Sequence, residues 1–310
     1  MTDTDLLEPR RSLVTWIDIL GYRAMLTAGD YATAHRASLA LSRFDACDRD
    51  VSKSDWDTYR DSFAVSDAII RVIDAHPPVA KGCLFYELFN LAINQLNTVL
   101  TGVVVSGGMC VGEICLGSEA HRTPMGEAVG RAYELDESRW EPAICIDNAL
   151  VNAFISDPSY QAHAPKTEAD YTMPWLLHHE NRYFINYLLA ATQDEGELHD
   201  ALHTHRNLII ANYANSNLPM RAREKYRFLR DYHNAFINWL FSEDGGTYLA
   251  SGYAFVTADD NVPEMLASLR IDTDTHDHAI RFWSQNETGF VTYLDDGSAA
   301  PPLMPNNQSS

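Results

Sequence analysis

The first 150 residues alternate between short apolar runs and longer amphipathic stretches, with glycine or polar turns between them. The short runs are rich in β-branched residues and predict buried strands, whereas apolar positions spaced three and four residues apart predict helices. The order β-α-β-β-α-β-α-β indicates an α+β fold with helices packed on a mixed sheet. The predicted strands are 12–20, 102–115, 142–146 and a hairpin at 61–74 that turns at Ser66-Asp67, and the predicted helices are 31–44, 79–100 and 126–137.

The pattern changes after residue 150. A strand is predicted at 183–189, helices at 197–213 and 219–240, and a second hairpin at 247–256. The composition of 297–310 is typical of a disordered tail. We therefore expect a core at 1–150, an extension of helices and strands at 151–296 that packs on the core, and the tail.

Composition narrows the possible functions. The 310 residues include 43 Asp and Glu against 23 Lys and Arg, a formal net charge of −20. This acidic balance argues against a non-specific nucleic-acid binder and against docking on an anionic membrane, both of which need a basic face. Taken alone, the charge also argues against a polyanionic ligand. The five cysteines form no C-x-x-C pair, so we expect free thiols in a reducing cytosol. No apolar run reaches the roughly 20 residues of a membrane span, and we therefore expect a cytoplasmic location.

Asp18 is the most informative residue of the first strand. A carboxylate in a buried strand is unfavourable unless it is paired or holds a metal, and Asp67 has the same feature at the tip of the predicted hairpin. In a β-α-β-β unit the end of the first strand can lie beside that hairpin, so the two carboxylates can converge. A divalent cation would relieve their repulsion. The alternative is two ordinary turn residues; taking both together, we predict a metal site.

Two other groups of residues are candidate ligand sites. Gly21-Tyr22 follows the first strand and opens a predicted helix, whose backbone N–H groups are suited to bind phosphate. Among the twelve histidines, His178-His179-Glu180 forms one group, and His199 and His203 lie one helical turn apart, but no H-E-x-x-H motif is present. We interpret these histidines as surface or capping residues.

Short motifs follow one another along the chain: WIDILGY at 16–22, SD at 66–67, GG at 107–108 with GE at 112–113, GEAVGRAYEL at 126–135 and KYRFLRDYHN at 225–234. In this order they resemble the catalytic domain of class III nucleotidyl cyclases, most closely the pyrimidine cyclases of the Pycsar anti-phage system. The resemblance covers residues 12–150, with a weaker similarity as far as 240. Its specificity lies in the order and spacing of the motifs, since each motif is short.

The resemblance implies a class III cyclase-like sheet in the catalytic core and a homodimer with active sites at the subunit interface. It implies that Asp18 and Asp67 bind two ions per site, Mn²⁺ or Mg²⁺, assisted by the Ile19 carbonyl. One ion would activate the ribose 3′-hydroxyl, and the other would bind the β- and γ-phosphates together with N–H groups near Gly21 and Tyr22. The implied reaction converts a nucleoside triphosphate into a 3′,5′-cyclic monophosphate and pyrophosphate.

Some positions depart from the purine-specific members of that family. Gly130 stands where they carry a transition-state asparagine, and Glu134 stands where they carry an arginine. Arg131, on the same predicted helix, is the candidate for the missing positive charge; the alternative is a solvated helix arginine. Ser106 stands where an arginine often precedes the double glycine.

The base-reading positions differ as well. Phe63 stands at the position of a purine-reading lysine or glutamate, and Thr123 near that of its paired aspartate. Neither residue can read a purine in the usual way, because the charged donor and acceptor are missing. Phe63 would narrow the pocket toward a smaller pyrimidine, and we expect Thr123, Arg60 and Tyr59 to meet the edge of that base.

We therefore expect a metal-dependent uridylate cyclase that converts UTP to cyclic UMP, a second messenger for a separate anti-phage effector. Two alternatives stay open at this point: a cytidylate cyclase that acts on CTP, and a catalytically inactive nucleotide-binding regulator. Gly130 and Glu134 favour the regulator, whereas the retained carboxylates Asp18 and Asp67 argue against it. Bridging cations would let an acidic protein hold a triphosphate despite its charge.

Overall fold

The computed structural model describes residues 9–46, 60–75, 83–116, 123–138, 140–156, 173–193, 197–215, 218–250, 266–272, 278–284, 289–293 and 298–300. Its strands are β1 (Arg10–Ile19), β2 (Arg60–Val65), β3 (Ala68–Asp74), β4 (Val105–Leu116), β5 (Pro124–Met125), β6 (Ile144–Ile146), β7 (Leu176–His179), β8 (Arg182–Ile185), β9 (Arg281–Ser284) and β10 (Gly289–Val291). Its α-helices are α1 (Tyr22–Thr27), α2 (Tyr31–Leu41), α3 (Arg43–Ala46), α4 (Cys83–Leu100), α5 (Glu127–Glu137), α6 (Asn148–Ser156), α7 (Glu197–Tyr213), α8 (Met220–Phe241) and α9 (Glu243–Ala250).

The strands form one mixed sheet in the order β10-β9-β7-β8-β6-β4-β1-β3-β2, with β5 paired to β4. Strand β1 is antiparallel to both of its neighbours, β3 and β4, whereas β6 joins β4 in parallel. Strands β7 to β10 extend the same sheet, so its hydrogen bonding continues beyond residue 150. The predicted α+β class, with helices packed on a mixed sheet, is confirmed.

The two faces of the sheet carry cores of different size. Ile17 and Ile19 belong to a large core that also takes side chains from α2, α4, α7 and α8. Val14 and Trp16 belong to a smaller core on the opposite face, where α5 packs over β1 and β4. Successive side chains of a strand alternate between faces, so Asp18 belongs to the face that α5 covers.

Helix α5 can approach β4 closely because glycine lines this part of the strand. A Cβ atom on Gly108 would lie 2.1 Å from the Ala132 carbonyl oxygen, and one on Gly107 would lie 2.2 Å from the Trp16 carbonyl oxygen. Gly108 therefore allows the close contact with α5, and Gly107 allows the close contact with β1. Gly130 of α5 differs, since a Cβ atom there would meet nothing within 4 Å.

Buried polar side chains of α8 hold the extension together. His233 Nδ1 lies 3.0 Å from His205 Nδ1 on α7, and His233 Nε2 lies 3.0 Å from the Leu269 carbonyl oxygen. The Asn234 side chain donates to the Ile271 carbonyl at 2.8 Å and accepts from the Ile271 N–H at 2.9 Å. This part of the 225–234 motif therefore lies inside the extension.

Two local predictions in the second half need correction. Residues 247–250 belong to helix α9 and not to a hairpin, because Ser242 Oγ accepts a bond from Gly245 N–H at 3.1 Å and two acidic residues occupy the first turn; residues 251–256 lie outside the described residues. The strand predicted at 183–189 ends at Ile185, and a 3-10 helix, Tyr187–Gln193, follows it. Strand β7, its hairpin partner, was not predicted.

Part of the predicted tail is ordered. Ala299 forms an isolated β-bridge with Tyr293, and Ala300 N–H donates to the Thr292 carbonyl at 2.7 Å. Residues 298–300 are therefore fixed against the strand end, and 301–310 lie outside the described residues.

Two further observations concern the cysteines and the helices of the described segments. The cysteines whose side chains the structure describes, Cys110, Cys115 and Cys145, are not joined to one another by a disulfide bond. None of the helices in these segments has both the length and the apolar character needed to cross a membrane.

We expect Gly108→Ala to lower the free energy of unfolding by about 2–3 kcal/mol, because the added methyl group overpacks the contact between α5 and β4. Gly130→Ala is the matched control and should raise that free energy by about 0.5–1 kcal/mol, since alanine is the better helix former where space is open. Urea denaturation of both variants checks this. Equal effects of the two substitutions would contradict the close packing of α5.

Candidate active site

Asp18 lies near the end of β1, between two hydrogen-bonded neighbours. It faces Ala68 of β3 on one side and Ser106 of β4 on the other. The next residue, Ile19, donates its backbone N–H to the Asp18 carboxylate at 2.9 Å and to the Asp67 backbone carbonyl at 3.3 Å. The tip of the β2–β3 hairpin therefore lies against the end of β1, and the structure brings the two predicted carboxylates together.

Negative charge is concentrated around Asp18. Burial, followed by the charges of Asp67 and Asp136, raises the pKa of the Asp18 carboxyl to about 7. The hydrogen bond from Ile19 N–H and the positive charge of Lys225 oppose this shift in pKa. Repulsion of this kind is relieved by a bound cation, so the arrangement favours one.

Asp136, near the end of α5, was not predicted from the sequence. Burial raises the pKa of its carboxyl, while a hydrogen bond with the Ser106 side chain and the charge of Lys225 lower it. Ser106 thus links Asp136 to Asp18, which it faces across the β1–β4 pair. We call Asp18, Asp67 and Asp136 the carboxylate cluster. The available signal was the position of Asp136 directly after the GEAVGRAYEL motif.

Lys225 of α8 brings a positive charge from the extension to the carboxylate cluster. Burial and the charge of Arg221 lower the pKa of its ammonium group, whereas Asp136, Asp18 and Glu141 raise it. Lys225 belongs to the motif at 225–234, and the sequence indicated no role for Lys225 itself. The extension therefore takes part in the candidate site.

The Gly21-Tyr22 turn follows directly on β1. Gly21 has a φ of 79°, a left-handed conformation that glycine adopts without strain, and it precedes α1. The Tyr22 hydroxyl accepts a hydrogen bond of 3.3 Å from Ser38 of α2. The Tyr22 side chain is therefore engaged with the helix layer, and the candidate phosphate contacts are the backbone N–H groups of the turn.

Phe63 lies on the same face of the sheet as Asp18. It pairs with Ile70 of β3, and Ile70 pairs with Trp16 of β1, two residues before Asp18. Phe63 is half-buried against the smaller core. The backbone of Arg60 begins the same strand, whereas Tyr59 lies outside the described residues.

Arg131 and Thr123 are placed away from the carboxylate cluster within one chain. The Arg131 guanidinium forms an ion pair with Asp147. Arg131 also lies near Cys110 in the middle of β4: burial raises the pKa of the Cys110 thiol to about 12, and the charge of Arg131 opposes this rise. Thr123 is exposed and precedes β5, which pairs with the far end of β4 at Leu116. A single chain therefore does not bring either residue to the carboxylates.

Comparison with known proteins finds similarity among solved structures. No family model matches the chain, and no curated protein matches it. It is similar to the monomeric guanylyl cyclase domain of the RhoGC fusion protein from the aquatic fungus Blastocladiella emersonii, with 16% identity over 58% of this chain and 97% of that chain and a TM-score of 0.39. It is also similar to the catalytic core of a rhodopsin-guanylyl cyclase with converted specificity in complex with ATPαS. The identity is 17% over 49% of this chain and 85% of that chain, and the TM-score is 0.36. A third match is a class III adenylyl cyclase-like ATP-binding protein from Pseudomonas aeruginosa. The identity is 16% over 53% of this chain and 39% of that chain, and the TM-score is 0.34.

We expect Asp18→Asn to raise the free energy of unfolding at pH 8, without divalent metal, by about 1–2 kcal/mol. One pKa unit corresponds to about 1.4 kcal/mol, and partial exposure of Asp18 reduces the full effect. Folding raises the Asp18 pKa from 3.8 to about 7, so the charged carboxyl destabilises the fold above pH 7 and the penalty shrinks as the pH falls toward 3.8. The gain should therefore fall by more than half at pH 5, as measured by urea denaturation.

The control for this experiment is Asp200→Asn, because the Asp200 side chain is 90% exposed on α7. It should leave the free energy of unfolding nearly unchanged at both pH values. A gain for Asp18→Asn that did not depend on pH would contradict the electrostatic explanation.

Proposed function

We propose that the protein is a metal-dependent nucleotidyl cyclase that converts UTP into 3′,5′-cyclic UMP and pyrophosphate. The observation that carries the proposal is that Asp67 and Asp136 both act on the Asp18 carboxyl beside the end of β1. Carboxylate and carbonyl oxygens are the donors that Mg²⁺ and Mn²⁺ prefer. The donor set, with its mutually repelling carboxylates and the Ile19 carbonyl beside them, fits such ions.

Asp18 and Asp67, with the Ile19 carbonyl, would hold the ions, which when bound neutralise the triphosphate and lower the pKa of the ribose 3′-hydroxyl. The protein's own contribution is to position the reactants and to compensate charge. In the reaction the 3′-oxygen bonds to the α-phosphorus while the bond from that phosphorus to the pyrophosphate oxygen breaks. The hydroxyl proton passes to solvent or to a carboxylate of the cluster, and N–H groups of the Gly21-Tyr22 turn donate to phosphate oxygens.

The preference for a pyrimidine is supported by Phe63. Its ring lies on the face that carries Asp18, and an aromatic side chain narrows the base pocket without offering the charged groups that read a purine. The choice of UTP over CTP, and the role of the product as a messenger for an anti-phage effector, rest on the sequence resemblance.

We also infer that the working unit is a homodimer. Arg131 and Thr123 lie away from the carboxylate cluster within one chain. A second copy that placed its α5 and β5 beside the cluster would supply both residues to the nucleotide.

We expect purified full-length protein with Mn²⁺ to form cyclic UMP from UTP, and no cyclic product from ATP, GTP or CTP, when products are identified by chromatography and mass. Asp18→Ala and Asp67→Ala should each lower the rate at least 100-fold, because the ions lose their ligands. Asp200→Ala removes one exposed charge elsewhere and should keep the rate within twofold.

The other outcomes separate the alternatives. Cyclic CMP from CTP alone would support the cytidylate cyclase. Nucleotide binding without any product would support the inactive regulator. Asp18→Ala protein that turned over at the wild-type rate would refute the site itself.

We expect Lys225→Met to lower kcat/KM about tenfold and to move the acidic limb of the pH–rate profile to higher pH. The positive charge of Lys225 lowers the pKa of Asp18, so its removal leaves Asp18 protonated over a wider range. Arg223→Met, two residues earlier on α8 and exposed, is the control and should leave both quantities nearly unchanged. A loss of rate without movement of the acidic limb would indicate a purely structural role for Lys225.

A further inference from the structure

A second group of metal-ligating side chains lies where the core meets the extension. Glu141 precedes β6, His179 ends β7 and Glu180 begins the turn that follows. One ligand atom from each lies within 4.8 Å of the other two. None of the three belongs to the carboxylate cluster.

Two of these ligand atoms are buried and lack hydrogen-bond partners among the described residues. They are Glu141 Oε1 and His179 Nε2, and their residues are 1% and 3% exposed. Buried polar atoms are almost always satisfied in proteins. A bound cation would satisfy both atoms at once.

The hydrogen bonding of His179 leaves the correct nitrogen free for a metal. Its Nδ1 lies 3.1 Å from the Ala279 carbonyl oxygen. A carbonyl can only accept, so Nδ1 carries the proton and Nε2 presents its lone pair, 3.9 Å from Glu180 Oε1. Metal-binding histidines are held in this way by an acceptor on the other ring nitrogen.

The turn after His179 is built to hold Glu180 beside it. Glu180 and Asn181 have φ angles of 47° and 63°, and His179 pairs with Arg182 across the hairpin. Two consecutive positive φ angles are typical of the tight two-residue hairpin turn, in which asparagine is common and glutamate is not.

Arg182 competes with a cation for Glu141. Its Nη1 lies 3.5 Å from Glu141 Oε1, and its side chain is 30% exposed, so it can turn toward solvent. The charge of Lys225 also faces Glu141. The site is therefore open to a cation that binds strongly enough to displace Arg182.

We propose that Glu141, His179 and Glu180 bind a transition-metal dication, for which Zn²⁺ is the best fit. One imidazole nitrogen and two carboxylate oxygens make three protein ligands and leave a fourth position for water. The ion would join the segment before β6 to the β7–β8 turn. This site is independent of the proposed cyclase activity.

The test counts zinc in full-length protein that has been stripped with EDTA and dialysed against micromolar Zn²⁺. We expect one ion per chain in the wild-type protein and also in Asp18→Asn, which retains this site. His179→Gln should bind at least tenfold more weakly, and Arg182→Gln should bind more tightly because the competing guanidinium is gone. Circular dichroism confirms that each variant is folded.

Glu180→Gln keeps the test decisive if His179→Gln does not fold, because the Glu180 side chain is 60% exposed. It should also weaken zinc binding. Wild-type zinc content that persisted in the folded His179→Gln or Glu180→Gln variant, or no zinc in the wild-type protein, would overturn the proposal. Because no nucleotide is turned over, failure of this test is distinct from failure of the cyclase proposal.

Discussion

Repulsion among the carboxylates beside the end of β1 is the constraint on which the candidate site depends. Asp67 and Asp136 both lie close enough to act on Asp18, and burial raises the pKa of both Asp18 and Asp136. An arrangement of this kind opposes folding, so the rest of the structure must hold it in place. The opposite face of β1 does so: Ile17 and Ile19 belong to the large core, and each is at most 2% exposed. Apolar burial on one face thus stabilises a strand whose other face carries unfavourable charge.

Two packing features fix the positions of the remaining carboxylates. Gly108 lets α5 lie close to β4, which brings Asp136 within reach of Ser106. The β2–β3 hairpin is anchored from the other side by a buried, bidentate ion pair between Arg71 of β3 and Glu87 of α4, at 2.7 and 2.8 Å. Removing one partner of such a pair strands a buried charge. The hairpin that presents Asp67 is therefore held by an interaction on the face away from the site.

Local patterns predicted the parts of the fold and site that depend on neighbours in sequence. A strand end and a hairpin tip are local features, and both Asp18 and Asp67 could be found from them. Asp136 and Lys225 reach the site only because α5 and α8 pack there, and no spacing in the sequence encodes that contact. The prediction for His179 failed for the same reason. The sequence indicated a surface or capping residue, but His179 is buried because β7 occupies an interior position of the sheet. The hairpin predicted at 247–256 was wrong for its first residues, which belong to helix α9. Ser242 caps that helix and acidic residues occupy its first turn, and these features stabilise it although it contains Gly245 and Gly246.

The net charge of −20 acquires a more specific meaning once Arg131 and Lys225 are placed. Arg131 is paired with Asp147, and the ammonium of Lys225 faces Asp18, Asp136 and Glu141. These positive charges are already compensated by carboxylates, so a triphosphate at the cluster would meet more negative than positive charge from the chain. Direct attraction to the protein therefore cannot hold a polyanion there, whereas divalent ions between the carboxylates and the phosphates can. Under the proposed function, nucleotide affinity would depend on the ions more than on ionic strength, because screening weakens long-range attraction and leaves direct coordination in place.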